Sequence, residues 1–152
     1  MADSSAPQFK RAVVALSGGR TDRVIVALAA ESARPSKAEL IGVHVVEIDW
    51  KLPLDADVAG HDESAQRVLD IAEATAEASH YRMDTVLLQA RDVGAAIVDE
   101  ATERDADLII CGLPFKRRFG GDFAIGRTIP YVLKNAPCAV WVIREAMSEE
   151  HT

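Results

Sequence analysis

Two glycine-bearing loops hold the residues whose types and spacing suit chemistry. The first is Ser17-Gly18-Gly19, directly after the apolar run Arg11–Leu16. Small residues between a strand and a helix leave backbone N–H groups facing outward, and glycine lets an anion approach them closely. Leu16 and the Ser17 hydroxyl belong to the same corner. The second loop runs from Gly112 to Gly126 and carries Lys116, Arg117 and Arg118, with Arg127 and Thr128 just beyond. Four cations beside a helix start, where the dipole already favours negative charge, would suit a phosphate or carboxylate. A plainer alternative stays open for each: a tight strand-to-helix turn for the first loop, a solvated basic loop for the second.

The other reactive residue types form no such pattern. His44 lies within an apolar strand, where a satisfied core or rim histidine is expected. His61, His80 and His151 fall at a loop edge, a helix end and a tail, without ligand spacing. Cys111 and Cys138 have neither metal nor redox spacing. No Ser/His/Asp or Cys/His arrangement emerges. Trp50 opens a long loop, where it would pack on the core or surface or else lid a site.

The 152 residues, 49% hydrophobic and 27% charged, suit one soluble domain with a real core. A net charge of -7 argues against nucleic acid or an anionic membrane as the main partner. The N-terminus lacks the charged and apolar regions of a signal peptide. Apolar runs such as Val24 to Ala30 are too short to span a bilayer. The expectation is a cytoplasmic protein with reduced thiols and no membrane insertion.

The elements that must position the two loops alternate regularly. Strand patterns cover Arg11–Leu16, Ala38–Ile48, Asp84–Ala90, Ala106–Gly112 and Cys138–Arg144. Helices are predicted from Thr21 or Asp22, as cap, to Ala33; over His61–Tyr81; from Asp92 through Ala101; and over Thr128–Lys134. Residues 1–9 and 146–152 read as tails around a domain at 10–145. Continuously apolar strands separated by helices predict a single-domain, doubly wound α/β fold with a five-stranded parallel sheet. Right-handed crossovers give the order 3-2-1-4-5. Both glycine loops then meet at the switch point between strands 1 and 4, where ligands of such sheets bind. Strands 4 and 5 become parallel neighbours with Cys111 and Cys138 at opposite ends, too far apart for a disulfide. The last strand, an apolar edge, invites pairing.

Ser17-Gly18-Gly19 is similar to the Ser-Gly-Gly-x-Asp-Ser signature of ATP pyrophosphatases, but Asp22 comes one place late and the final Ser is absent. An ATP-cleaving enzyme rests on those three residues alone. The second half resembles the universal stress protein family. Asp107, Leu108, Ile109 and Gly112 fit its Asp-Leu-Ile-x-x-Gly strand, and Ala136, Pro137, Cys138 and Val140 fit its Ala-Pro-Cys-Pro-Val. Arg11–Leu16, His44-Val45-Val46 and Ile97/Ala101 extend the likeness backward. The chain departs from the family's Gly-x2-Gly-x9-Gly-Ser/Thr loop. Phe115 replaces the second glycine, the loop is one residue longer, and Arg127 follows the last glycine; Ser17 stands where the family has an acidic residue after the first strand.

The resemblance implies a Rossmann-like, adenine nucleotide alpha hydrolase-like fold and a regulatory module that binds rather than catalyses, with at most very slow ATP hydrolysis. It implies ATP, AMP or another adenine nucleotide, with magnesium, at Leu16, Ser17, Gly18, Gly19, Val43, Val45, Gly112, Gly126 and Thr128, with Arg117, Arg118 and Arg127 as the cations that would offset the departures. It also implies a homodimer through the last strand, with Val140, Trp141 and Val142 in or near the interface. The segment from Phe115 to Cys138 further resembles domains appended to amino-acid permeases. That likeness implies an alternative: a regulatory or interaction domain of a transporter without nucleotide.

Overall fold

Five apolar runs pair into one parallel sheet. They are β1 (Arg11–Leu16), β2 (Glu39–Glu47), β3 (Asp84–Ala90), β4 (Leu108–Gly112) and β7 (Ala139–Ile143), ordered β3-β2-β1-β4-β7. This is the doubly wound 3-2-1-4-5 order expected from the sequence. The computed structural model describes residues 8–53, 55–56, 62–113, 115–116, 122–123 and 126–146.

Side chains alternate between two cores, as the twofold repeat of a strand requires. Val14, Leu16, Leu40, Leu108 and Ile110 pack under α1 (Thr21–Ala33) and α2 (Glu63–Ala78). Val13, Ile41, Val43 and Ile109 pack under α3 (Val93–Glu103) and α4 (Thr128–Asn135). With both faces covered, the central strands carry no polar alternation.

Several expectations are corrected. The second helix is shorter than His61–Tyr81: Asp62 caps it, accepting from the Ala65 N–H at 3.1 Å, and it ends at Ala78. His61 lies outside the described residues. Neither Thr21 nor Asp22 caps α1; its cap is Arg20, which makes no side-chain capping bond. The second loop is not wholly irregular, because β5 (Phe115–Lys116) and β6 (Asp122–Phe123) pair antiparallel. Two-residue strands carry no periodicity to read. Trp141 is half-buried and turned inward, edge-on to Phe9 at 5.6 Å between ring centroids.

The β4–β7 register sets Cys111 opposite Val142 and Leu108 opposite Ala139, so the cysteines flank opposite ends and both thiols are free. Burial pushes the Cys111 thiol up to about 11 and raises Cys138 as well.

At the amino ends of the central strands, the Asp107 carboxylate accepts from the Lys10 N–H at 2.9 Å and the Arg11 N–H at 3.0 Å. The Asp107 N–H returns a bond to the Arg11 carbonyl at 3.0 Å. Burial pushes this carboxyl up, but the backbone donors outweigh it and hold it below its ordinary 3.8. A depressed carboxyl contributes stability that is present above its unfolded value and lost as pH falls through the folded one. Asp107→Asn is expected to cost about 1 kcal/mol at neutral pH. In urea unfolding, the gap to the parent should narrow below pH 3.8 and close once the parent's carboxyl is protonated. A thiol reagent at pH 8 should leave Cys111 unmodified in the native protein and label both cysteines in denaturant.

Candidate functional site

The chain leaves β1 and β4 toward opposite faces of the sheet, α1 on one side and α4 on the other. The gap between their carboxyl ends forms a cleft of about 320 Å³. Its rim holds Leu16, Ser17, Val45 and Gly112, with Gly126, Arg127 and Thr128 opposite, over an apolar floor that includes Ile97 and Ile129. Of the residues singled out in the sequence, these seven rim residues are brought together. Val43 is not: its side chain is fully buried in the core shared with α3 and α4. Gly18 and Gly19 face adjoining clefts on the α1–α2 side. Arg117 and Arg118 lie outside the described residues.

Two glycines are dictated by geometry. A Cβ on Gly112 would stand 2.8 Å from the Thr21 methyl, because the end of β4 packs directly against the first turn of α1. Gly126 has φ of +60°, the left-handed region, in the turn that leads into α4.

The first loop is closed by the chain itself. Asp22 is buried in the first turn of α1, and its carboxylate points backward. One oxygen accepts from the Ser17 N–H at 2.9 Å and the Ser17 hydroxyl at 3.2 Å; the other accepts from the Gly18 N–H at 2.8 Å. The Gly19 N–H donates to the Ser17 Oγ at 3.1 Å. The three amides that would cradle an outside anion are therefore engaged internally. The pyrophosphatase-like reading of Ser17-Gly18-Gly19 loses its cradle.

His44 is satisfied on one side, as its place in an apolar strand suggested. Its Nδ1 lies 2.8 Å from the Leu16 carbonyl, which can only accept, so Nδ1 carries the proton. The half-buried ring borders both the main cleft and the neighbouring one.

Of the four cations of the second loop, only Arg127 has a described side chain. Arg127 donates to Glu47 at 3.3 Å, joining the start of α4 to the end of β2 beside the cleft. Of the Lys116 side chain nothing is described. What α4 does offer is its own amino end. Helices α2 and α3 are capped by Asp62 and Asp92, whereas α4 starts at Arg127 with no side-chain cap. Among the described residues, no side chain caps its first N–H groups, the donors a ligand at a helix start would meet. Tight packing fixes this end, since a Cβ on Gly94 of α3 would lie 3.1 Å from the Tyr131 side chain.

Trp50 does not border the cleft. It is 78% exposed, with the Arg91 guanidinium 4.8 Å from its ring centroid. Arg91 also donates to the carbonyls of Asp49 and Leu52, at 3.0 and 2.8 Å. Among the described residues, no three His, Cys, Asp or Glu come together as metal ligands. The carboxylates nearest the cleft, Glu47 and Asp22, are already engaged, so these residues form no cage for magnesium. No helix among the described residues is long and apolar enough to cross a membrane.

No curated protein matches the chain, but solved structures do. The universal stress protein from Archaeoglobus fulgidus superposes with a TM-score of 0.71 at 24% identity, over 88% of this chain and 97% of its own. The same organism's protein in complex with dAMP gives 0.66 at 24% identity, over 88% and 96%. A universal stress protein in complex with cAMP gives 0.66 at 18% identity, over 90% and 98%. These likenesses concern the fold. The model of the universal stress protein family matches residues 8–144, nearly the whole described chain, and the protein belongs to the universal stress protein family.

Proposed function

We propose that this chain is a cytoplasmic, stress-response type regulatory module that binds an adenine nucleotide in the switch-point cleft and acts by binding rather than by chemistry. The observation that carries the reading is the uncapped start of α4 facing Gly112 and Ser17 across an apolar-floored cleft. Val45 would meet the base, Ser17 the ribose, and the α4 N–H groups with Arg127 and Thr128 the phosphate. A cleft of about 320 Å³ is at the small end of ligand sites. With Arg127 as its one described cation, it suits a monophosphate better than ATP. The family members solved with dAMP and cAMP support that preference. Binding would draw Arg127 from Glu47 to the phosphate and re-seat the end of the second loop, which a partner then reads.

A second reading, a module that works through protein contacts alone, for example on an amino-acid transporter, is favoured by Arg127 being held by Glu47 and by Ser17 at the family's acidic position.

Calorimetry with AMP, cAMP, ATP and adenosine separates the two. Saturable AMP binding is expected, weakened about tenfold in Arg127→Glu, with adenosine binding nearly unchanged, as suits one charge-assisted bond. No heat from any of the four at millimolar concentration would discard the nucleotide reading in favour of the second.

The edge strand β7 supports a homodimer. Among the described residues it keeps one unpaired side in the sheet order, Val142 is 39% exposed and Val140 half-buried, so self-pairing about a twofold axis would cover it. Because Trp141 turns toward Phe9, the contact would fall on the β7 backbone with Val140 and Val142. Sedimentation should give twice the 16.4 kDa chain mass, and Val142→Lys should shift it toward the monomer. A parent that sediments as a monomer at micromolar concentration would remove the dimer.

A further inference from the structure

The described arginines divide into two groups. Arg11, Arg34, Arg82, Arg104 and Arg127 pair with Glu39, Glu31, Asp84, Glu100 and Glu47. Arg91 lies on Trp50, and Arg144 also has a partner. Arg20, Arg23 and Arg67 are exposed, and among the described residues they have no hydrogen-bond or ion-pair partner. In a protein of net charge -7, carboxylates to pair with are in excess. The three unpaired arginines nevertheless stand around one place.

That place is the groove between the start of α1 and the first half of α2. Arg20 and Arg23 border a cleft of about 270 Å³. Arg67 borders the next, of about 340 Å³, together with Ser64 and His44. Both clefts share Gly18, Val68 and Ile71. Two carboxylates border the groove, and neither pairs with an arginine. Asp22 is bonded to Ser17 and Gly18, and Asp62 caps α2. The apolar Val68 and Ile71 give the arginine stems a surface to lie on and strengthen charge interactions beside them.

We propose that this groove is a second anion site that takes a phosphoryl group, held by Arg20, Arg23 and Arg67. Planar guanidinium groups match phosphate oxygens two at a time, and three of them without partners leave the site electrostatically unfilled. Ser64 adds a hydroxyl. The groove meets the switch-point cleft at Ser17 and His44, which border both. The phosphoryl group therefore has two sources: a separate phosphate-bearing molecule, or the polyphosphate tail of a nucleotide seated in the neighbouring cleft. The first source does not depend on the nucleotide reading.

The test is amide and arginine-side-chain NMR on the full chain, titrated separately with inorganic pyrophosphate, AMP and ATP. With a separate anion, pyrophosphate alone shifts Gly18, Gly19, Arg20 and the Arg23 and Arg67 side chains saturably, whether or not it also moves Gly126 and Thr128. With a nucleotide tail, ATP shifts both sets and AMP shifts only Gly126 and Thr128. In either case Arg20→Glu with Arg67→Glu weakens the groove response at least tenfold. The milder Arg23→Gln weakens it less, and Arg82→Gln, at an exposed arginine outside the groove, leaves it unchanged. The proposal is overturned if neither pyrophosphate nor ATP shifts the groove residues saturably, or if the double variant responds like the parent. Failure of AMP to shift Gly126 and Thr128 while pyrophosphate fills the groove would instead count against the nucleotide reading alone.

Discussion

A sheet covered on both faces has nowhere to place polar side chains except at the ends of its strands. That constraint orders the whole molecule. Val13, Val14, Ile41, Ile109 and Ile110 are fully buried with no polar residue between them on either face. Polar chemistry is displaced to the two rims. At the amino rim Asp107 ties β1 to β4 through backbone N–H groups. At the carboxyl rim Asp22 ties the first loop to α1 in the same manner. At the carboxyl rim the helices leave β1 and β4 toward opposite faces, and the switch-point cleft lies there.

The same constraint explains what could be read from sequence. Long apolar runs without alternation implied a parallel sheet, and crossover handedness fixed its order. The position of the cleft follows from that order, so the Gly112 and Gly126 corners were legible once strands 1 and 4 were known to be neighbours. What stayed hidden depends on side-chain direction or on contacts between distant segments. Asp22 looks like a helix cap by position, yet its carboxylate turns back onto the Ser17 and Gly18 amides. Arg127 and Glu47 come from α4 and β2, 80 residues apart. Val43 and Val45 look equivalent as alternate residues of one strand, yet the first is under a helix and the second is at the rim. Arg20, Arg23 and Arg67 are unremarkable along the chain and form a group only when α1 packs on α2.

Electrostatics sharpens the contrast between the two glycine loops. The first has the amides of an anion cradle, and the Asp22 carboxylate and the Ser17 hydroxyl occupy them. The second leads into a helix whose first turn has no capping side chain among the described residues. The chain thus separates two roles that one loop often combines: a rigid corner at Ser17–Gly19 and an open amino end at Thr128. His44, bonded to the Leu16 carbonyl, braces β2 against β1 where the two roles meet.

The captive carboxylate also bears on how such a protein can change over generations. Aspartate codons lie one nucleotide from those of asparagine, glycine and alanine. Each of these replacements removes the negative charge that holds the Ser17 and Gly18 amides, without touching the sheet or the buried face of α1 beyond that one position. The internal charge that seals this corner is therefore a single nucleotide change from being lost, while the sheet that carries the corner is specified by many separate positions.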